Sequence, residues 1–228
     1  YGGLKEGQVV NRLKDEYLKE KRKTQTAEDV LKDFEKTISD IQLIEEMEQS
    51  VYENNFEGFY LYYQPQIDAK THKVVSSEAL LRYESPTKGI VYPNNFIPLL
   101  ERTQMIRDVG MWVLDTALAQ CAQWRKTIPN MGVSVNFSAI QLQQEDIAEK
   151  LLNTIVKHGL PANALTIELT ECIELEESLQ YSECFAKLRQ AGVHVAIDDF
   201  GTGYANLSYL KKIQADQLKI DQIFVRDL

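Results

Sequence analysis

The sequence predicts an α/β fold built on a mostly parallel sheet. Two observations carry that prediction. From about residue 56 onward, short apolar and β-prone segments alternate with longer amphipathic stretches, the order expected of βαβ units. Polar residues then recur at the ends of those apolar segments, which is where parallel α/β proteins carry their chemistry.

The elements follow in order. Residues 4 to about 53 are dense in Lys, Glu, Gln and Asp, and within them Leu31, Phe34, Ile38 and Ile41 recur at helical steps of 3, 4 and 3, a narrow apolar stripe. Thr26 and Asp29 form a weak capping pair for that helix. Residues 1–40 thus read as a helical linker or signalling segment ahead of a domain at 41–228. The stripe either packs on that domain or dimerises or transmits a signal. Next come the strand-like runs "GFYLYYQPQI" (58–67) and "VVSSEALLRY" (74–83), then helical segments at 93–103 and 108–126. "GVSVNFS" (132–138), a helix near 140–158, "ALTIELTE" (164–171), a helix near 178–191 and "VHVAIDDFG" (193–201) continue the alternation. A short helix near 203–213 leads to "ADQLKID" (215–221). The strands read as near-continuous apolar runs, which predicts burial on both faces.

Charge and cysteine content narrow the function classes. A formal net charge of -9 argues against a nucleic-acid polymer as partner, since phosphate binding needs clustered Lys and Arg. No apolar run approaches the ~18 residues of a membrane span. Cys121, Cys172 and Cys184 are odd in number and lack CxxC spacing, which points to a reducing, cytoplasmic compartment. The first residue is Tyr rather than Met, so the expectation is a piece of a longer protein.

Glu78, Asn136, Glu168, Asp198 and Lys219 each lie within or at the end of a predicted strand, and Asp199 adjoins Asp198 before a Gly-x-Gly turn. Taken singly, an Asp-Asp-Phe-Gly run is an ordinary turn and an Asn-Phe-Ser run an ordinary helix cap. Together they bring four carboxylates and an amide oxygen to one end of a sheet. Convergent carboxylates repel unless a cation offsets them. An all-oxygen donor set suits hard ions, so Mg²⁺ or Mn²⁺ is expected rather than zinc, and two ions fit the charge better than one. Two such ions would clamp the attacking and leaving oxygens of a phosphodiester displacement. Lys219 could orient or deprotonate the water or offset phosphate charge, and Arg82 offers a planar fork for a phosphate.

At these residues the chain resembles the EAL-domain cyclic di-GMP phosphodiesterases. "SEALLRYESPTKGIVYPNNFIPLLE", "YYQPQID", "VSVNFSAIQL", "LTIELTE" and "AIDDFGTGYANLSYLKKIQADQLKID" are similar to that family's motifs. The resemblance implies a modified (β/α)₈ TIM-like barrel with an antiparallel first strand. It also implies hydrolysis of cyclic di-GMP to linear pGpG in bacterial signalling, with Mg²⁺ or Mn²⁺. Carried over, Glu78, Asn136, Glu168 and Asp198 match ligands of one ion, and Asp198 and Asp199 match ligands of a second. Lys219 matches the lysine beside the attacking water, and Arg82 an arginine on substrate phosphate. Gln64 and Asp221 match positions near the substrate. Glu171 matches a glutamate that steadies the loop after the aspartate pair, a loop tied to dimerisation, so a homodimer is a further implied partner. The alternative is an EAL-like domain that binds cyclic di-GMP or a protein without hydrolysis.

The chain departs from the family pattern in two ways. Tyr83, Ser85 and Gln104-Met105-Ile106 stand where Trp, His and Gly-Leu-Ile are usual; none is a ligand position. The family motif also continues past the lysine strand to a further Glu ligand and a late Gln, and residues 53–228 are fewer than the ~250 of a typical full barrel. The expectation is a barrel incomplete at its C-terminus, poorly stable or inactive unless another copy or segment completes it.

Overall fold

The computed structural model describes residues 27–170, 179–201 and 214–226. Glu171, Thr26, Cys172 and the helix expected near 203–213 lie outside the described residues. Two units divide within the first helix, between Leu43 and Ile44.

Helix α1 (Ala27–Tyr52) opens the described chain. In its first part Leu31, Phe34 and Ile38 are exposed. Further along, Met47, Ser50 and Val51 are buried, and Glu46 accepts hydrogen bonds from the hydroxyls of Ser85 and Thr87.

The second unit is a mixed sheet of β1 (Phe59–Ile67), β2 (Val74–Ser85), β3 (Gly89–Val91), β4 (Gly132–Asn136), β5 (Leu165–Thr170), β6 (His194–Phe200) and β7 (Gln217–Ile220). The order is β1-β2-β4-β5-β6-β7, with β3 paired to β2. β1 and β3 run antiparallel to β2, and β2, β4, β5, β6 and β7 are mutually parallel. The antiparallel first strand is as the family resemblance implies. The hairpin strand β3 is additional to the elements read from sequence; three residues are too short for a periodicity signal.

Parallel register puts paired residues on one face. Glu78 pairs with Ser134, Ser134 with Thr166, Asn136 with Glu168, and Thr170 with Asp198. One face of the sheet is therefore small or polar. The other carries Val133, Val135, Leu165, Ile167, Leu169, Val195 and Ile197, all fully buried. Burial on both faces holds, since Ser134 and Glu168 are each 1% exposed, but the runs alternate apolar and polar and are not continuously apolar. The apolar face lies under helices α2 (Pro93–Thr103), α3 (Ile106–Trp124), α5 (Ile147–Lys157) and α6 (Leu179–Ala191). Phe59, Tyr83, Phe96 and Trp112 form an aromatic cluster there, with ring centroids 4.5–6.4 Å apart.

The helix expected near 140–158 is two helices, α4 (Ala139–Leu142) and α5. Leu142 and Ile147 are both fully buried. Five residues apart on one helix they would point about 140° from each other, so the break at 143–146 lets both reach the core.

The polar face curls inward. Lys219 on β7 and Glu78 on β2 are four strand spacings apart, about 19 Å in a flat sheet. Their side chains meet at 2.9 Å. Only a sheet bent toward a barrel brings them together, with the polar face inside.

Candidate active site

The five parallel strands β2, β4, β5, β6 and β7 each deliver one polar group to the same site. The ammonium of Lys219 donates to Glu78 Oε2 at 2.9 Å, to Glu168 Oε2 at 2.5 Å and to Asp198 Oδ2 at 2.9 Å. Those three carboxylates offer oxygens that all lie within 4.8 Å of one another. Asn136 Nδ2 donates to the other oxygen of Glu78 at 2.9 Å. Of the residues singled out in the sequence, Glu78, Asn136, Glu168, Asp198 and Lys219 are thus in one constellation.

The electrostatics follow from that packing. Burial pushes the Glu168 carboxyl up to about 7; Lys219 opposes the shift, and the charges of Glu78 and Asp198 add to it. For Lys219, burial works against the charged form, but its hydrogen bonds to the three carboxylates prevail and hold the ammonium well above its usual range. The three carboxylates thus favour the charged form of the lysine.

Asp199 stands on a different spur. Its φ of +54° is left-handed, a conformation that aspartate tolerates better than most residues. β6 loses its regular pairing between Ile197 and Phe200. Asp199 N donates to Asp198 Oδ1 at 2.9 Å. The break in the pleat sets Asp199 beside Asp198 and Asp221. Burial, the charges of Asp198 and Asp221 and a hydrogen bond with Asp221 raise its carboxyl, while Lys219 pulls it down. Asp221 also accepts from Ile223 N at 2.8 Å, which fixes its side chain. Two adjoining carboxylate groups result, one around Lys219 and one formed by Asp199 and Asp221.

Arg82 and Gln64 lie on the same face of the β1–β2 pair, since Gln64 is opposite Glu78 and Tyr60 opposite Arg82. The Arg82 guanidinium sits 5.5 Å from the centroid of the Tyr62 ring and donates to Leu81 O at 2.8 Å. A cavity of about 540 Å³ lies between β2 and helices α2 and α3, lined by Arg82, Pro93, Glu101, Asn136 and Ser138 among others; Glu78, Glu168, Asp198 and Lys219 do not line it. Burial holds the Glu101 carboxyl above its usual range. Tyr62 and Glu101 were not singled out from sequence. Tyr62 was detectable as the residue two before Gln64 on one strand face; nothing local marks Glu101.

The donor set tests whether a divalent ion suits the site. The three carboxylates are hard oxygen donors whose oxygens already gather on a cationic ammonium, and Asn136, which donates Nδ2 to Glu78, carries an amide oxygen of the same hard class. This chemistry fits Mg²⁺ or Mn²⁺ and is unlike the sulfur and imidazole sets that zinc takes.

A curled α/β sheet whose parallel strands present carboxylates at one end defines a barrel of the metal-dependent hydrolase type. Residues 45–228 match the EAL domain family, and the chain belongs to that family. It is 37% identical over 172 residues to the Cyclic di-GMP phosphodiesterase PA2567 of Pseudomonas aeruginosa, a match covering 75% of this chain and 29% of that protein. It is 34% identical over 189 residues to the Bifunctional diguanylate cyclase/cyclic di-GMP phosphodiesterase MucR of the same organism, covering 82% of this chain and 27% of that one. The chain therefore spans less than a third of these relatives. Among solved structures, the PaMucR phosphodiesterase in complex with c-di-GMP superposes with a TM-score of 0.74 at 34% identity, covering 82% of this chain and 74% of that chain. The EAL enzyme Bd1971, in a form binding cAMP and cyclic-di-GMP, superposes with a TM-score of 0.77 at 27% identity, covering 98% and 59%.

Proposed function

We propose that this chain hydrolyses cyclic di-GMP to linear pGpG in a bacterial cytoplasm. The observation that carries the reading is the convergence of Glu78, Glu168 and Asp198 on Lys219 in a chain of the EAL family. The names of PA2567 and MucR support the same chemistry. Glu78, Asn136, Glu168 and Asp198 would hold one divalent ion, and Asp198 and Asp199 a second, with Asp221 beside it. Mg²⁺ or Mn²⁺, when bound, supplies charge neutralisation for the attacking and leaving oxygens.

The chain's own groups do the rest. Arg82, steadied on Tyr62, binds a non-bridging phosphate oxygen by its planar fork. The cavity beside Asn136 gives room for part of the nucleotide, within the size of ordinary small-molecule sites. Lys219 orients the water and stabilises negative charge on phosphate. Glu78 orients the water from the opposite side of the ammonium. The water oxygen bonds to phosphorus and gives its proton to bulk water, the P–O3′ bond breaks, and the released ribose oxygen takes a proton back from bulk water. Gln64, on the Glu78 face, and Asp221 contact substrate at the rim. The partners in this reading are cyclic di-GMP and a second copy of the chain.

The test is chromatographic detection of pGpG from cyclic di-GMP with Mg²⁺ or Mn²⁺. This chain and a longer polypeptide containing it are each compared with Glu78→Ala. Metal-dependent product that the substitution abolishes supports the reading. Binding without turnover in both lengths of the wild type would overturn it and favour the receptor.

A further inference from the structure

Asn136 ends β4, and its side chain gives Nδ2 to Glu78 Oε1 at 2.9 Å. The amide oxygen is therefore the atom that Asn136 would present to a divalent ion. Where that oxygen points depends on the backbone just beyond the strand. Two successive peptide N–H groups there are tied down. Phe137 N donates to Glu168 O at 2.9 Å across the sheet, and Ser138 N donates to the side-chain Oε1 of Gln141 at 3.0 Å.

Gln141 is the third residue of α4, and Ser138 precedes that helix, the Ser-x-x-Gln spacing of a capping box. An ordinary box serves to start a helix. Here the box is also braced from outside the helix. α4 is a single turn, too short to hold its conformation alone. Gln141 is only 3% exposed, although capping needs no burial. Its amide rests directly on α3, where a methyl built on Gly110 would fall 1.8 Å from Gln141 Nε2 and 2.8 Å from Cδ. Glycine inside a helix costs stability relative to alanine, and the space that Gly110 leaves is filled by the Gln141 amide. A continuous path thus runs from α3 through Gln141 to the Ser138 N–H, two residues from Asn136. Gly110, Asn136, Ser138 and Gln141 all line the same cavity.

We propose that Gln141 is a positioning residue for Asn136: seated on Gly110, it fixes the turn after β4 and so aims the Asn136 amide at the ion site. The proposal rests on the metal-dependent reading above and adds a residue that acts on the ion through Asn136.

Calorimetric titration of the full chain with Mn²⁺, without substrate, tests it. The Mn²⁺ dissociation constant should rise roughly 10–100-fold in Gln141→Leu, the loss typical of outer-shell partners of a metal ligand. Gln141→Glu keeps an accepting oxygen at the same reach and should bind Mn²⁺ as the wild type does. Ile155→Val, a cut in the buried face of α5, should lower Tm in chelator without moving the Mn²⁺ constant, which separates positioning from loss of stability. Gly110→Ala drives the Gln141 amide off α3 and repeats the measurement should Gln141→Leu lose its circular dichroism. Wild-type Mn²⁺ affinity in Gln141→Leu and Gly110→Ala, or an equal loss in Ile155→Val, overturns the proposal and leaves the hydrolytic reading standing. A wild type that binds no Mn²⁺ overturns the ion site itself, and the proposal with it.

Discussion

Lys219→Met removes the single positive charge that three carboxylates share and leaves a side chain of similar length. The oxygens of Glu78, Glu168 and Asp198 lie within 4.8 Å of one another. At an effective dielectric of ~20, each pair of charges at that distance repels by about 3.5 kcal/mol, so three pairs set a ceiling of roughly 10 kcal/mol. The protein avoids that ceiling by taking up a proton at Glu168, which is 1% exposed and already pushed up to about 7 with the lysine present. The net cost is that of breaking a buried pair, about 3–5 kcal/mol. At roughly 2–4 °C per kcal/mol for a chain of this size, Tm should fall by about 6–20 °C at pH 8 in chelator. The sign of the pH dependence is fixed. A carboxyl whose folded pKa exceeds its unfolded value of ~4.3 loses stability as pH rises through the interval between them. The loss should therefore be small near pH 5 and large at pH 8, and added Mg²⁺ should restore most of it. Differential scanning fluorimetry at the two pH values reads this directly. A Tm loss under about 2 °C, or one equal at both pH values, refutes the shared-charge account.

Glu168→Gln should lower cyclic di-GMP turnover by more than the roughly 10–100-fold that outer-shell partners of a metal site cost, with the fold retained by circular dichroism. Arg82→Lys should raise KM by about tenfold or more while leaving kcat closer to wild type, because an ammonium replaces a planar fork at a phosphate; steady-state kinetics separate the two. Asp199→Asn keeps a residue that tolerates left-handed backbone and removes a carboxyl whose pKa is raised by burial, Asp198 and Asp221. It should raise Tm at pH 8, leave it unchanged near pH 3 where the wild-type group is protonated in both states, and reduce turnover. Gly58→Ala puts a methyl 2.7 Å from Glu84 O at a φ of +88° and should cost about 1–3 kcal/mol in urea unfolding.

What was legible in the sequence was whatever a short window encodes. The strand cores fell where β-prone segments end in polar residues, and Glu78, Asn136, Glu168, Asp198 and Lys219 each announced themselves by position. What escaped notice depends on longer range or on subtler alternation. In "VSVN", "TIELT" and "HVAID" every second residue is small or polar, yet Val, Ile and Leu dominate the impression, so the polar inner face was read as apolar. The break between α4 and α5 follows from Leu142 and Ile147 competing for one core, which only the packed structure defines. The contact of Lys219 with Glu78 spans 141 residues and exists only because the sheet curls. Glu101 gives no signal, because its burial comes from strands and helices far from it in sequence.

A carboxylate held at 1% exposure is a poor choice for stability, and the surrounding residues bear on why this barrel keeps one. The polar inner face cannot be hydrophobically packed as the outer face is, so the second unit draws its stability from the helix-facing side, where Val133, Val135, Leu165, Ile167 and Leu169 lie fully buried. Replacing Glu168, Glu78 and Lys219 together by apolar residues of similar volume would be expected to be neutral or stabilising, as for other buried ion pairs. Retaining all three maintains a point of high negative potential at which one positive charge is obligatory. The ammonium satisfies that requirement through three hydrogen bonds, and the same carboxylates would hold a divalent ion. Most of the apolar burial thus lies on one face of these strands and the charged constellation on the other.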